Sequence, residues 1–473
     1  MKKTTTNLLW ILSCVLILAS IPPFFGELLD IGTFDRNRPL SLFAAIGLAI
    51  GCVLIKMLIT NRSLQNLSVK PSKETRSNTS RWNRRMWIYA ALLSLIVVCL
   101  VELCSWLGLS ALSRFRGIKY QPLDVLTQRQ TEILEQFLTH GSPFIELDPH
   151  LGWTIKKFGN TSLLRANAAG FRSNKDYSTT PQPGIFRALS FGDSFTLCVD
   201  VDNNETWQAV IEESDPSIEV LNFGVGGYGM DQAYLRYLKR NSQLGAEIIF
   251  IGFLTENIFR HVNSFRPFYV PGTGTPLAKP RFTVVDKRLT LLPNPLPSVE
   301  DYQRLLESPQ HVLRQLGIHD YFFQTGSVSS RFDWSPTVRL IRQVTAQGSK
   351  SSTDAIISGG YYNSDSEAFE VTKKLFNAFY HQVLQNSQIP IIVIFPTIDD
   401  VTRFQQEHTS RHQPLTDYFK AMRYNYVDLV ESFEEHDIQE LFNGHLTPVG
   451  NRIVGELLLE QLNIHRGESQ GSQ

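Results

Sequence analysis

In "ALSFGDSFTLCVD", Ala188 to Asp200, a mostly apolar run ends on Gly192-Asp193-Ser194. A serine at the end of a buried strand is placed to attack a carbonyl. Its hydroxyl is a weak nucleophile until a base takes the proton. His445, in "FNGHLTP", is the candidate base. Attack on an ester carbonyl builds an oxyanion, which needs donors aimed at it in advance. "NFGVGGYG", Asn222 to Gly229, exposes backbone N–H groups, and Asn257 in "LTENIFR" offers a side-chain amide. Singly, each has a plainer role: a turn serine, a loop histidine, a hinge glycine, a capping asparagine. Together they are the parts of acyl transfer through a covalent serine, which calls for no metal or cofactor.

The elements around them have the rhythm of an α/β fold. Strands are predicted at Phe186–Phe191, Glu219–Phe223, Glu247–Phe253, Ile389–Phe395 and Tyr426–Leu429. Helices are predicted at Glu205–Glu213, Met230–Arg240 and Glu367–Gln385, and a last one opens at Thr447-Pro448, with Thr as cap and Pro in the first turn. Continuous apolar strands such as "EIIFIGF" suit a parallel sheet covered on both faces. Ligands bind such sheets at the carboxyl ends of the strands. Ser194, the glycine loop and Asn257 each follow a strand, and His445 lies on a loop able to reach them. Between about 262 and 366 the rhythm breaks. "PRFTVVDKRLTLLPNPLPS" reads as a hairpin turning near Asp286-Lys287, and "VEDYQRLLESPQHVLRQL" reads as helix. Long insertions of this kind are usually lids or binding surfaces.

With those residues in place, the chain resembles the SGNH (GDSL-type) hydrolase superfamily over 186–262 and 366–463. "FGDSFT", "NFGVGG", "TENI" and "GHLTPVGN" resemble its four blocks in order. The resemblance implies a three-layer α/β/α sandwich with a flavodoxin-like strand order. It also implies Ser194 as nucleophile, Gly227 and Asn257 as oxyanion donors and His445 as base. One departure stands out. The family usually carries an Asp two or three residues before the histidine, where this chain has Phe442 and Asn443. Asn443 can hydrogen-bond an imidazole but brings no charge. Another acid, such as Asp437 or Glu440, or a backbone carbonyl, would then orient the ring; otherwise the site is slow or silent. Asp193 is expected to brace its loop, Arg260 to form a structural ion pair or meet an anionic substrate group, and Cys198 to be a small buried residue.

Ahead of this domain, 186–465, lie a stalk and lead-in, 113–185, and three apolar stretches in residues 1–112. The stretches, about 8–25, 40–59 and 86–108, are expected to be transmembrane helices, since about 20 residues cross a hydrocarbon core. The loop 61–85 carries seven Lys and Arg against the single acid Glu74. Basic loops stay cytoplasmic, so the N-terminus is expected inside, and the C-terminal domain outside, a cell (inner) membrane. Glu102, within the third stretch, is expected either to reach headgroup water or to meet another membrane helix. The soluble part has one cysteine, Cys198, and so no internal disulfide. Forty-five Lys and Arg balance 45 Asp and Glu, which gives no footprint for nucleic acid. The tail 466–473 is expected to be disordered.

The function this implies is a membrane-anchored, extracytoplasmic serine esterase acting on O-acyl groups, acetyl above all, of a cell-envelope glycan or lipid. An O-acyltransferase of the same mechanism, served by a membrane partner protein, is one alternative. A silent glycan-binding or scaffold domain is the other.

Overall fold

A computed structural model describes residues 84–117, 119–240, 244–324, 327–347 and 355–471. The expected helices at 8–25 and 40–59 and the basic loop as far as residue 83 lie outside the described residues. The third stretch is helix α1, Arg84–Arg116. Its segment Ala91–Arg116, 26 residues of mean hydropathy 2.3, is the one described helix long and apolar enough to cross a membrane.

The stretch read as a stalk belongs to the folded domain. Helix α2, Gln128–His140, starts on a capping box: Thr127 accepts from the Gln130 N–H, and the Gln130 side chain accepts from the Thr127 N–H. Its Leu134 is fully buried in a cluster with Val225, Tyr228 and Phe265. The lead-in adds an antiparallel pair, β1, Ile145–Asp148, and β2, Gly152–Ile155.

The core sheet has five parallel strands: β3, Phe186–Phe191; β4, Ile218–Asn222; β5, Ile248–Leu254; β8, Ile389–Phe395; and β9, Tyr426–Asp428. They lie in the order β9-β8-β5-β3-β4. The order reverses between β3 and β5, which makes the carboxyl ends of these two strands the switch point where such sheets bind ligands. All of β5 is buried because both of its faces are covered. Ile249, Ile251 and Phe253 face one layer, with α5, Met230–Arg240, and α9, Glu367–Gln385. Ile248 and Phe250 face the other, with α4, Trp207–Ser214, and α10, Pro448–Gly471. Each large side chain so buried is worth about 1.5–3 kcal/mol. Helix α4 starts two residues later than expected, capped by Thr206. Helix α10 runs through Arg466 to Gly471, where a disordered tail was expected.

In the insertion, β6, Arg281–Val285, and β7, Arg288–Leu292, form the expected hairpin. Asp286 and Lys287 both take positive φ, as a two-residue hairpin turn requires. The single expected helix is two, α6, Val299–Glu307, and α7, Pro309–Leu316. Pro309 lacks the N–H a continuous helix would use, so the chain restarts there. Helix α8, Pro336–Gln347, follows.

Candidate active site

Strand β3 delivers Gly192-Asp193-Ser194 into one helical turn, α3, Ser194–Leu197. The turn closes tightly: a Cβ on Gly192 would collide with the Thr196 side chain. Asp193 is wholly buried and braces the turn. One of its carboxylate oxygens accepts from Phe195 N–H (2.8 Å), the other from Asn257 Nδ2 (2.8 Å). Burial pushes the Asp193 carboxyl up, opposed by the Arg260 guanidinium 3.8 Å away. Asn257, one turn past β5, is also wholly buried. Asp193 takes one proton of its amide nitrogen, and the other has no acceptor among the described residues.

His445 Nε2 lies 3.0 Å from Ser194 Oγ. Its Nδ1 lies 2.9 Å from Asp200 Oδ2, which also accepts the His445 backbone N–H at 3.3 Å. A carboxylate only accepts, so Nδ1 carries the proton and the bare Nε2 accepts from Ser194 O–H. Asp200 is the residue that the sequence reading missed. Asn443 is exposed, and its side chain makes no hydrogen bond to the imidazole among the described residues. It pairs with His445 only through the backbone of a small hairpin turning at Gly444. Asp437 caps the short helix Ile438–Leu441, accepting from Gln439 N–H.

Asp200 reaches the imidazole because α3 ends on Cys198 in the left-handed conformation, which doubles the chain back. The buried Arg172 holds that return. Its guanidinium donates to the carbonyls of Leu197, Cys198 and Val201, and its Nε to Asn203 Oδ1 at 2.9 Å. Burial brings Arg172 below the usual guanidinium range. Cys198 itself is buried, its thiol pushed up to about 12 by burial despite Arg172, the setting of a small packed residue.

The glycine loop is clamped in the same manner. Trp153 of β2 donates through Nε1 to the Gly226 carbonyl (3.0 Å), fixing the peptide whose N–H belongs to Gly227. Arg266 donates to the Gly227 carbonyl at 2.9 Å. Burial, with the charge of Arg260 beside it, brings Arg266 down to about 10. Gly227 has φ +80°, a region open to glycine. Its N–H and that of Ser194 donate to no protein acceptor among the described residues. Arg260 forms the structural ion pair, with Glu256. It is buried, donating to Glu256 (3.0 Å) and to the Tyr228 carbonyl (2.8 Å). The neighbouring charges of Arg260 and Arg266, with the Tyr269 hydroxyl, hold Glu256 below the usual carboxylate range against the opposing effect of burial.

No family model and no curated protein matches the chain. Among solved structures it is similar to a member of the lipolytic protein G-D-S-L family from Veillonella parvula. That match has 13% identity and a TM-score of 0.29, and covers 58% of this chain and 97% of the other. It is also similar to a GDSL-like lipase from Bacteroides thetaiotaomicron, at 10% identity and a TM-score of 0.29, covering 60% of this chain and 91% of that one.

Proposed function

We propose that the chain is a membrane-anchored, extracytoplasmic serine esterase of SGNH type, with Ser194, His445 and Asp200 as its triad. The observation that carries this is the continuous hydrogen-bonded chain Ser194 Oγ–His445–Asp200. Ser194 Oγ attacks the ester carbonyl carbon while its proton passes to His445 Nε2. The imidazolium that forms is held by the Asp200 carboxylate. The oxyanion accepts from the N–H groups of Ser194 and Gly227 and from the free proton of the Asn257 amide; one such donor is worth about 10²–10³ in turnover. His445 then gives its Nε2 proton to the departing alkoxide, which leaves as an alcohol. Water, deprotonated by His445, attacks the acyl carbon; as the bond to Ser194 Oγ breaks, His445 returns the proton to that oxygen and the acyl group leaves as a carboxylic acid.

The substrate class, an O-acyl group on an envelope glycan or lipid, follows from the proposed placement outside the membrane. The silent-scaffold alternative drew its support from Asn443, and a carboxylate on the imidazole removes that support.

The test is fluorophosphonate labelling of the purified full chain, read by intact mass. One adduct per chain is expected, absent in Ser194→Ala. No adduct on the native chain, with its fold intact by circular dichroism, would overturn the proposal.

A further inference from the structure

The exposure of α1 changes abruptly along its length. From Ala91 to Leu100 its side chains are almost all bare, and all but Ser94 are apolar. From Glu102 one stripe is covered: Glu102 is half-buried, Ser105 and Gly108 buried, while Leu103, Trp106 and Leu107 on the opposite side are half exposed. The cover is the insertion. Ser335 Oγ donates to Glu102 Oε1 at 2.6 Å, and Thr337 N–H donates to Oε2 at 3.1 Å. Thr337 Oγ1 donates to Ser105 Oγ at 3.0 Å, and Leu340 of α8 packs where Gly108 has no side chain. Among the described residues, Glu102 takes its partners, Ser335 and Thr337, from the insertion. It caps α8, whose first N–H groups need an acceptor.

The loop before α8 is sorted by polarity. Asp333 is turned inward, accepting from Tyr120 O–H (2.9 Å) and from Ser330 N–H (2.8 Å). Its neighbours Phe332 and Trp334 are turned outward, 48% and 75% exposed. Arg331 lies over the Phe332 ring, 4.8 Å from its centroid. An outward tryptophan and phenylalanine flanked by an arginine are what a bilayer interface collects. From Arg85 to Ser105 is about 20 residues, or about 30 Å of helix, the thickness of a hydrocarbon core. The outer boundary then falls where the cover begins.

We propose that the insertion seats the catalytic domain on the bilayer, with Phe332 and Trp334 inserted among the outer-leaflet phospholipids beside Trp106 of α1. The seat rests on the reading of α1 as a membrane span. It places the insertion at the lipid surface and gives it a role apart from the chemistry.

The test places a photoreactive benzophenone amino acid, one position at a time, at Ile96, Phe332, Trp334 or Phe158 of the full chain. Each protein is reconstituted in phosphatidylethanolamine–phosphatidylglycerol vesicles carrying a clickable phospholipid. Lipid adducts are expected at 96, 332 and 334, at least ten-fold above those at Phe158, an exposed aromatic of the lead-in. Labelling at 96 without 332 and 334 overturns the seat and leaves the span standing. No labelling at 96 removes the span and the seat with it. Adducts at 334 to a second copy of the chain, or labelling at 158 equal to that at 334, also overturn the seat.

Discussion

The two halves of the proposed site are held by different means. Ser194 and Asn257 follow β3 and β5, adjacent strands whose register is set by a parallel ladder. Asp200 and His445 sit on loops that no strand of the core sheet fixes. The acid loop is held by Arg172, a side chain from the lead-in, and the base by a five-residue hairpin and by Asp200 itself. The nucleophilic half is therefore a property of the sheet, and the acid–base half a property of the parts packed around it. Substitutions in the second half can lower reactivity while the sheet stays whole.

The largest such effect is expected from Asp200→Asn. In the serine proteases the same change at the triad acid lowers turnover about 10⁴-fold. The Asp200 side chain is 41% exposed, so water shares in orienting the imidazole, and the expected loss is about 10²–10³-fold. The measurement is the rate of fluorophosphonate labelling at Ser194. A rate within three-fold of the native chain would show that the imidazole does not depend on Asp200.

A smaller loss, about ten-fold or ~1.4 kcal/mol of barrier, is expected from Arg172→Lys. Lysine keeps the charge but cannot span the carbonyls of Leu197, Cys198 and Val201 with a planar fork. The loss should fall on the limiting labelling rate, not on the half-saturating reagent concentration. In Arg172→Lys/Asp200→Asn it should largely vanish, because residues acting as one unit are not additive. Losses that simply add would mean that Arg172 stabilises the domain without positioning the acid.

The same division explains what could be read before the structure was known. Strands β3, β5 and β8 are marked by continuous apolar runs, and Ser194, Asn257 and the glycine loop follow them locally, so the sheet and its carboxyl-end residues were legible. Asp200 was not. Its reach depends on the left-handed Cys198 and on Arg172, 28 positions upstream of it in the chain. No local pattern records a contact of that kind. Trp153 and Arg172 lie in a stretch whose Gly, Asn, Ser and Pro content reads as loop, and the length of α2 reads as stalk. Composition there reports the absence of long elements, not the absence of packing.

The smallest effect is expected from Asn443→Asp, and it is the sharpest on where the acid lies. If the imidazole lacked an acid, restoring a carboxylate at 443 would raise the labelling rate by orders of magnitude. In the structure Nδ1 is already occupied by Asp200, and Asn443 is exposed across the hairpin. A second carboxylate there adds only a solvent-screened charge near the ring, worth a few tenths of a kcal/mol. The expected change is therefore within about two-fold. In the Asp200→Asn background the outcome separates the two positions. Continued inactivity means that 443 cannot reach Nδ1 in this hairpin. Recovery to within ten-fold of the native rate would mean that the hairpin turns to bring it there, and that the geometry around Gly444 is looser than the backbone pairing of Asn443 with His445 implies.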